Sequence, residues 1–386
     1  MRHADKIVLA GYLVRCPLGG YAWQVLHYLL GLRAIGFDPY FYEDTAYYGD
    51  CFDPLTGNMR VLPDAGIAFA ADFFQRFGFG DRWVFWDTGQ DRYSGLSRAE
   101  TDALLSDARA VITLAPVNRV PRRRKQVKIF VDIDPAFTQI RVAEGDPALC
   151  ELLAEHDLHF TFGENIGSPG CAIPTDRFTW QATRQPIAVE LWPPLPTDVQ
   201  APFTTIGRWD ERRRDVHFQG QVYSWSKRTE WMTFLELPGR SGEAFTVAMD
   251  VDKTPDDAEV LRNHGWEITD PVAVSRDALT YRDFIRHSKG EFTVAKDLNV
   301  RLASGWFSDR GACYLAAGRP VVTQDTGFGR VLPTGKGLYA VRRLDDAIRA
   351  VTSIASDYET NAQAAREMAK QYFEAGKVLT DLTSRL

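Results

Sequence analysis

The chain has 386 residues, a formal net charge of −6, 45% hydrophobic residues and 25% charged residues. That length suits two ordinary domains, and the balance of apolar and charged residues is that of a globular protein. The acidic charge argues against nucleic acid as the main partner, and the basic run Arg122-Arg123-Arg124-Lys125 reads as a solvated loop.

Strand and helix signals alternate from the start. Ile7–Ala10 reads as a buried strand and is followed by the glycine pair Gly19-Gly20. Tyr21–Ile35 carries helical apolar spacing and stops at Gly36. Asp38–Tyr42 reads as a second strand ending in Glu43-Asp44. Ala110–Ala115, Lys128–Asp132 and Leu158–Phe162 read as further strands, the last running into Gly163-Glu164-Asn165. The pattern breaks over residues 186–202, where Pro193, Pro194, Pro196 and Pro202 make a stiff connector. Strands resume at Phe203–Gly207, Ala244–Met249, Gly290–Ala295, Arg319–Thr323 and Gly337–Val341, and Leu344 to Leu386 reads as two helices. Alternation of this kind predicts an α/β fold of two Rossmann-like halves facing a cleft. The expected units are 1–185, the linker 186–202, 203–355 and a C-terminal helix over 356–386.

Five scattered cysteines with no CxxC pair argue against a disulfide framework and a zinc site. Reduced thiols, no apolar run of membrane-spanning length and no leader ahead of the first strand predict a cytoplasmic protein with no integral membrane segment.

The most informative stretch runs from Gly305 to Gly329. Ser308 reads as a helix N-cap, so the backbone N–H groups of Asp309, Arg310 and Gly311 are expected to face an anion. The helix closes on Gly318, Pro320-Val-Val starts a buried strand, and Asp325-Thr326-Gly327 follows at its C-terminal edge, where open α/β sheets bind ligands. Gly19-Gly20 is either a tight turn or a place where a phosphate approaches the backbone. Arg208 and Lys227 are expected near the same edge, where cations neutralise a diphosphate, although Arg208 also belongs to an exposed charge cluster ending at Asp215. Asp132 and Asp134 end a strand in the first half, and either is a candidate general base. Asp44, Glu164 and Asn165 also end strands and are candidate acceptor contacts, with capping as the default. The triplets Asp132-Ile-Asp134 and Asp250-Val-Asp252 suggest no metal in a chain this rich in aspartate. His27 reads as a core histidine, and neither a GxSxG elbow nor a P-loop is present.

Together these residues resemble a GT-B glycosyltransferase, and more narrowly the bacterial spore-maturation-related (CgeB-like) group. Ala316-Ala-Gly318-Arg-Pro320-Val-Val is similar to the Gly-x-Pro-Val-Val that closes that family's nucleotide-binding helix. The resemblance implies diphosphate contacts by Gly19, Gly20, Arg208, Lys227, Ser308, Asp309 and Arg310, with Asp325, Thr326 and Gly327 beside them. It also implies a C-terminal helix that crosses back to the first half. One feature departs from the family: Gly305 and Cys313 stand where many retaining members carry two glutamates, the second gripping the ribose, unless Asp309 or Asp325 substitutes. The expected activity is metal-independent transfer of a sugar from a nucleotide-diphosphate donor, UDP- or dTDP-linked, to a hydroxyl, with no cofactor. The alternatives are a nucleotide-sugar 2-epimerase and a degenerate nucleotide-sugar-binding partner protein.

Overall fold

The computed structural model describes residues 4–46, 49–60, 62–123, 125–196, 198–211 and 214–386. Arg124 of the basic run, Thr197 of the linker, and Arg212 and Arg213 of the charged cluster lie outside the described residues.

The first sheet has eight strands: β1 (Lys6–Ala10), β2 (Asp38–Asp44), β3 (Trp83–Asp87), β4 (Arg92–Gly95), β5 (Ala110–Leu114), β6 (Val127–Asp132), β7 (Leu158–Thr161) and β8 (Trp180–Ala182). Their order is β8-β7-β6-β5-β1-β2-β3-β4, parallel except for β3 with β4. Lys6 lies opposite Asp38 and Ile7 opposite Ala110, so the chain order reverses between β1 and β5. That reversal opens a crevice at the carboxyl ends of the strands.

The second sheet has six parallel strands: β9 (Phe203–Gly207), β10 (Phe245–Met249), β11 (Trp266–Thr269), β12 (Gly290–Thr293), β13 (Val321–Gln324) and β14 (Leu338–Val341). The order β11-β10-β9-β12-β13-β14 places its own reversal between β9 and β12. Strands buried on both faces, such as Ala110–Leu114, carry near-continuous apolar sequence, which is why they are legible. The edge strands β4, β8 and β11, the penultimate strand β3, and the hairpins Cys51–Asp53/Asn58–Arg60 and Val216–Phe218/Gln221–Tyr223 carry mixed sequence and escape the pattern.

Helix α1 (Gly19–Ala34) is buried on nearly all sides. An apolar helix with no polar face needs covering all round. Helix α2 (Ala278–Arg286) packs at its start and α4 (Ala375–Thr383) near its end, with α3 (Asp309–Ala316) close by in the second half. A Cβ on Gly31 would stand 2.5 Å from Leu379 Cδ1 and 2.8 Å from Ala375 Cβ, so α4 packs directly on the α1 backbone there. Ile187 N–H donates to Phe373 O at 2.7 Å, and Ala375 N–H to Ile187 O at 3.0 Å. The C-terminus therefore does cross back onto the first half. Residues 344–386 form more than the two helices expected: Leu344–Ser356, Tyr358–Met368, a π turn at Ala369–Phe373 and α4. One apolar core joins α1 residues such as Trp23 and Leu29 to Ile206, Phe307, Tyr314 and Leu379 of the other half.

Candidate functional site

The carboxyl edges of the two sheets face each other. Gly163, just past β7, forms a bridge to Trp306, and Asp134, just past β6, pairs with Lys296, just past β12, at 2.9 Å. Around this junction stand Lys227, Arg208, Asp309 and Arg310 from the second half, and Tyr12, Tyr21 and Gln24 from the first. The Tyr12 and Tyr21 rings lie 4.7 Å apart, and Gln24 Nε2 lies 3.5 Å from Asp309 Oδ2. The loop between β1 and α1 is rigid because the buried Glu43 carboxylate accepts the backbone N–H groups of Leu13, Val14 and Arg15 at 2.7, 2.7 and 3.0 Å.

Lys227 is the electrostatic anomaly of the cleft. Its ammonium lies 5.8 Å from the centroid of the Trp306 ring. Among the described residues no carboxylate lies within ion-pair distance of it. Burial, then the positive charges of Arg310 and Lys296, push it from 10.5 down to about 7. Arg208 is exposed and only loosely paired, 3.8 Å from Glu211, and its charge bears on Cys16 and Tyr21 across the cleft. Asp309 is pushed up by burial, with Asp134 adding to it. Three cations, Lys227, Lys296 and Arg208, thus meet two carboxylates, Asp134 and Asp309.

Several expected contacts are used inside the protein instead. Asp132 is buried and accepts from Thr138 Oγ1 at 2.7 Å, Gln139 Nε2 at 2.8 Å and Thr161 Oγ1 at 2.8 Å. Its burial moves it up to about 6, but no face of it is open to a substrate, so Asp134, with a side chain 46% exposed, is the carboxylate of the pair that meets the cleft. At the helix mouth, the N–H groups of Gly311 and Arg310 go to Ser308 Oγ at 2.8 Å and Asp309 Oδ1 at 2.7 Å. The expected free donors are largely satisfied by the helix's own side chains. Arg310 turns inward, donating to Glu291 Oε1, Ile206 O at 2.6 Å and Thr293 Oγ1 at 3.0 Å. It contributes charge to the cleft floor rather than an open fork.

Of the glycine pair, Gly19 answers to packing. A Cβ on Gly19 would stand 2.5 Å from both Asp277 O and Tyr281 Cβ, and one on Gly20 would meet the Tyr281 ring at 3.5 Å. Asp325 accepts from Gly327 N–H at 2.7 Å and pairs with Arg342 at 2.9 Å. Thr326 is buried, with its hydroxyl on Trp306 O at 2.5 Å. The three residues expected at the acceptor are engaged within the protein. Asp44 is fully buried and caps Ala46 N–H at 2.9 Å and Arg119 N–H at 3.0 Å. Glu164 pairs with Arg184. Asn165 is buried, with Nδ2 donating to Ala303 O at 3.1 Å and Gly327 O at 3.0 Å. Each fastens loops, and Asn165 ties one half to the other. Cys313, at the expected ribose position, faces inward with Sγ 3.7 Å from His27 Nε2.

Lys296 is the cleft residue that the sequence reading missed. A single lysine after a strand has no motif. Its only signal is its place three residues past the end of β12, at the same carboxyl edge as Arg208.

No family model matches the sequence, and no curated protein matches it. Solved structures do share the fold. An α-glucosyltransferase in complex with UDP and a 13-mer DNA is 10% identical, with a TM-score of 0.60 over 99% of this chain and 98% of the other. HepE from Anabaena, in complex with UDP-glucose, is 11% identical, with a TM-score of 0.56 over 99% and 100%. Sucrose-phosphate synthase from Thermosynechococcus elongatus is 11% identical, with a TM-score of 0.53 over 98% of each chain. At these identities the likeness establishes the fold, two Rossmann-like domains facing a cleft. Among the described residues no helix is long and apolar enough to cross a membrane.

Proposed function

We propose that the protein is a glycosyltransferase that moves a sugar from a nucleotide-diphosphate donor to an acceptor hydroxyl. The observation that carries this reading is Lys227, a partly buried ammonium beside Arg310 and Lys296, with no carboxylate within ion-pair distance among the described residues and held well below the usual lysine range despite Glu291 and Asp309 nearby. Such a charge is costly unless a ligand of opposite sign completes it. A diphosphate between Lys227, Lys296 and Arg208 supplies that sign, and the same cations stabilise it as it leaves. In an inverting displacement the acceptor oxygen bonds to the anomeric carbon and the bond from that carbon to the diphosphate oxygen breaks. Its electron pair leaves with the diphosphate, and Asp134 takes the acceptor's proton.

The reading needs neither metal nor cofactor, because protein cations hold the charge. UDP is the favoured nucleotide, supported by the UDP and UDP-glucose complexes among proteins of the same fold, with dTDP the alternative. The narrower CgeB-like assignment is supported by Gly305–Gly329. We take 1–185 as the acceptor unit and 203–355 as the donor unit, joined by 186–202, with 356–386 returning. An acceptor other than nucleic acid is supported by the net charge of −6 and by Arg122 and Arg123 being paired with Asp157 and Asp102. All five cysteines are free, which supports a cytoplasmic setting.

The test is release of free nucleotide from UDP-glucose, dTDP-glucose, GDP-mannose and ADP-glucose, alone and with saccharides or duplex DNA as acceptors. Acceptor-dependent release from one donor supports transfer. Conversion of a donor alone to a second sugar nucleotide replaces transfer with epimerisation, and no release with any pairing sinks the catalytic reading.

A further inference from the structure

Lys296 has two close neighbours. Asp134 Oδ1 lies 2.9 Å from its ammonium, reached across the cleft from β6, and the centroid of the Trp225 ring lies 3.1 Å away. Trp225 is itself fixed. Its backbone N–H donates to Asp215 Oδ1 at 2.9 Å and its indole N–H to Glu211 Oε2 at 3.2 Å. Its ring packs on Phe137 with centroids 4.5 Å apart. Phe137 opens the helix directly after Asp134-Pro135-Ala136, and Ala136 is held at φ +72°, a costly conformation for a residue with a Cβ. Trp225 is therefore anchored on both its backbone and its indole, and packs on the helix that follows Asp134. Asp134 is open to the cleft with 46% of its side chain exposed, while only 18% of Lys296 is. The ion pair spans the gap between the two sheet edges, where a donor's diphosphate has to lie to reach Lys227 and Arg208.

We propose that Lys296 exchanges partners: it holds Asp134 in the empty cleft and passes to the donor's diphosphate, while the Trp225 face keeps its ammonium in place for both. The inference rests on the donor-site reading above and goes beyond it by ordering the events. Donor binds first, and its arrival releases the Asp134 carboxylate. That carboxylate then takes the acceptor's hydroxyl proton as the new carbon–oxygen bond forms and the diphosphate departs with the electron pair of the broken one. Without donor, Asp134 stays neutralised by Lys296. The hairpin that presents Trp225 sits in the segment bounded by Arg208 and Lys227, so a single insertion carries two phosphate contacts and the support for the third. Lys296 is a binding residue in this scheme, and Trp225 a positioning residue.

The exchange makes an unusual prediction for binding alone, read by titration calorimetry with UDP as probe. Asp134→Asn removes a competitor for Lys296, so UDP binds about two- to fivefold more tightly, the scale of a partly exposed ion pair. Lys296→Met weakens UDP by about tenfold, and in that background Asp134→Asn changes nothing further. Should Asp134→Asn fail to fold, Asp134→Ser serves the same purpose. Trp225→Phe keeps a ring face and holds UDP affinity within about twofold, whereas Trp225→Leu keeps the bulk and loses affinity. Unchanged or weaker binding in Asp134→Asn overturns the exchange, as does tighter binding that persists without Lys296. Equal loss in both Trp225 variants removes the positioning role. Failure of the wild type itself to bind UDP contradicts the donor site and takes the exchange with it. That outcome is distinct from a wild type that binds and a flat variant series, which removes the exchange alone.

Discussion

Replacing Lys227 with methionine separates stability from binding, because the two respond with opposite signs. In the empty cleft the ammonium sits beside Arg310 and Lys296, and burial together with these charges brings it from 10.5 down to about 7. The folded value lies below the unfolded one, so between those limits the unfolded chain binds more protons and stability rises with pH. At neutral pH the lysine is therefore a burden on the folded state. At about 1.4 kcal/mol per pH unit the ceiling is ~5 kcal/mol, and solvent in the cleft reduces the working figure to ~1–2 kcal/mol. Lys227→Met has similar bulk and no charge, so it should raise the melting temperature by about 2–5 °C at pH 7. The same change removes a charge-assisted contact to the diphosphate, worth ~1.5–3 kcal/mol, and should weaken UDP by about 10- to 100-fold. Thermal unfolding without ligand and calorimetric titration with UDP read the two effects independently. A variant that melts lower and binds UDP as the wild type does would refute the reasoning, since Lys227 would then be a structural cation.

Asn165→Ala leaves the half-buried carbonyls of Ala303 and Gly327 without their donor and should cost about 1–3 kcal/mol in urea unfolding. A loss under 1 kcal/mol would show that the clasp between the halves is loose. Gly19→Ala forces a Cβ to within 2.5 Å of Asp277 O and Tyr281 Cβ, a clash with backbone on one side, so a cost of about 1–3 kcal/mol is expected. A neutral outcome there would mean that α1 and α2 are less closely packed. His27 and His156 are each pushed by burial down to about 3. Their folded values lie below the unfolded ones, so stability should fall as pH drops from about 6.5 toward 3, by about 1.4 kcal/mol per unit for each histidine. Urea midpoints at pH 7 and pH 5 measure it, and equal midpoints would place both rings in contact with water.

The two-sheet architecture was legible because buried parallel strands carry long apolar runs and the helices between them end on residues such as Gly36 and Gly318. Individual site residues were less so. Asp132 and Asp134 differ by two positions, yet only the fold brings Thr138, Gln139 and Thr161 onto the first and leaves the second open. The Gly19-Gly20 pair invites a phosphate reading, but what requires Gly19 is the approach of Asp277 and Tyr281, distant in sequence. The Ser308 helix start was correctly placed as a cap, and its own Ser308 and Asp309 side chains then occupy the donors that an anion was expected to use. Asp44, Glu164 and Asn165 were rightly put at or just past strand ends, where each caps or fastens loops. Lys296 gains its meaning only from Asp134 and Trp225, which lie far from it in the chain.

The most direct test of the central claim is a structure of the protein with UDP bound. The diphosphate is expected between Lys227, Lys296 and Arg208, with Lys296 moved off Asp134. A diphosphate bound away from these three cations, or bound with the Asp134–Lys296 pair intact, would contradict that claim.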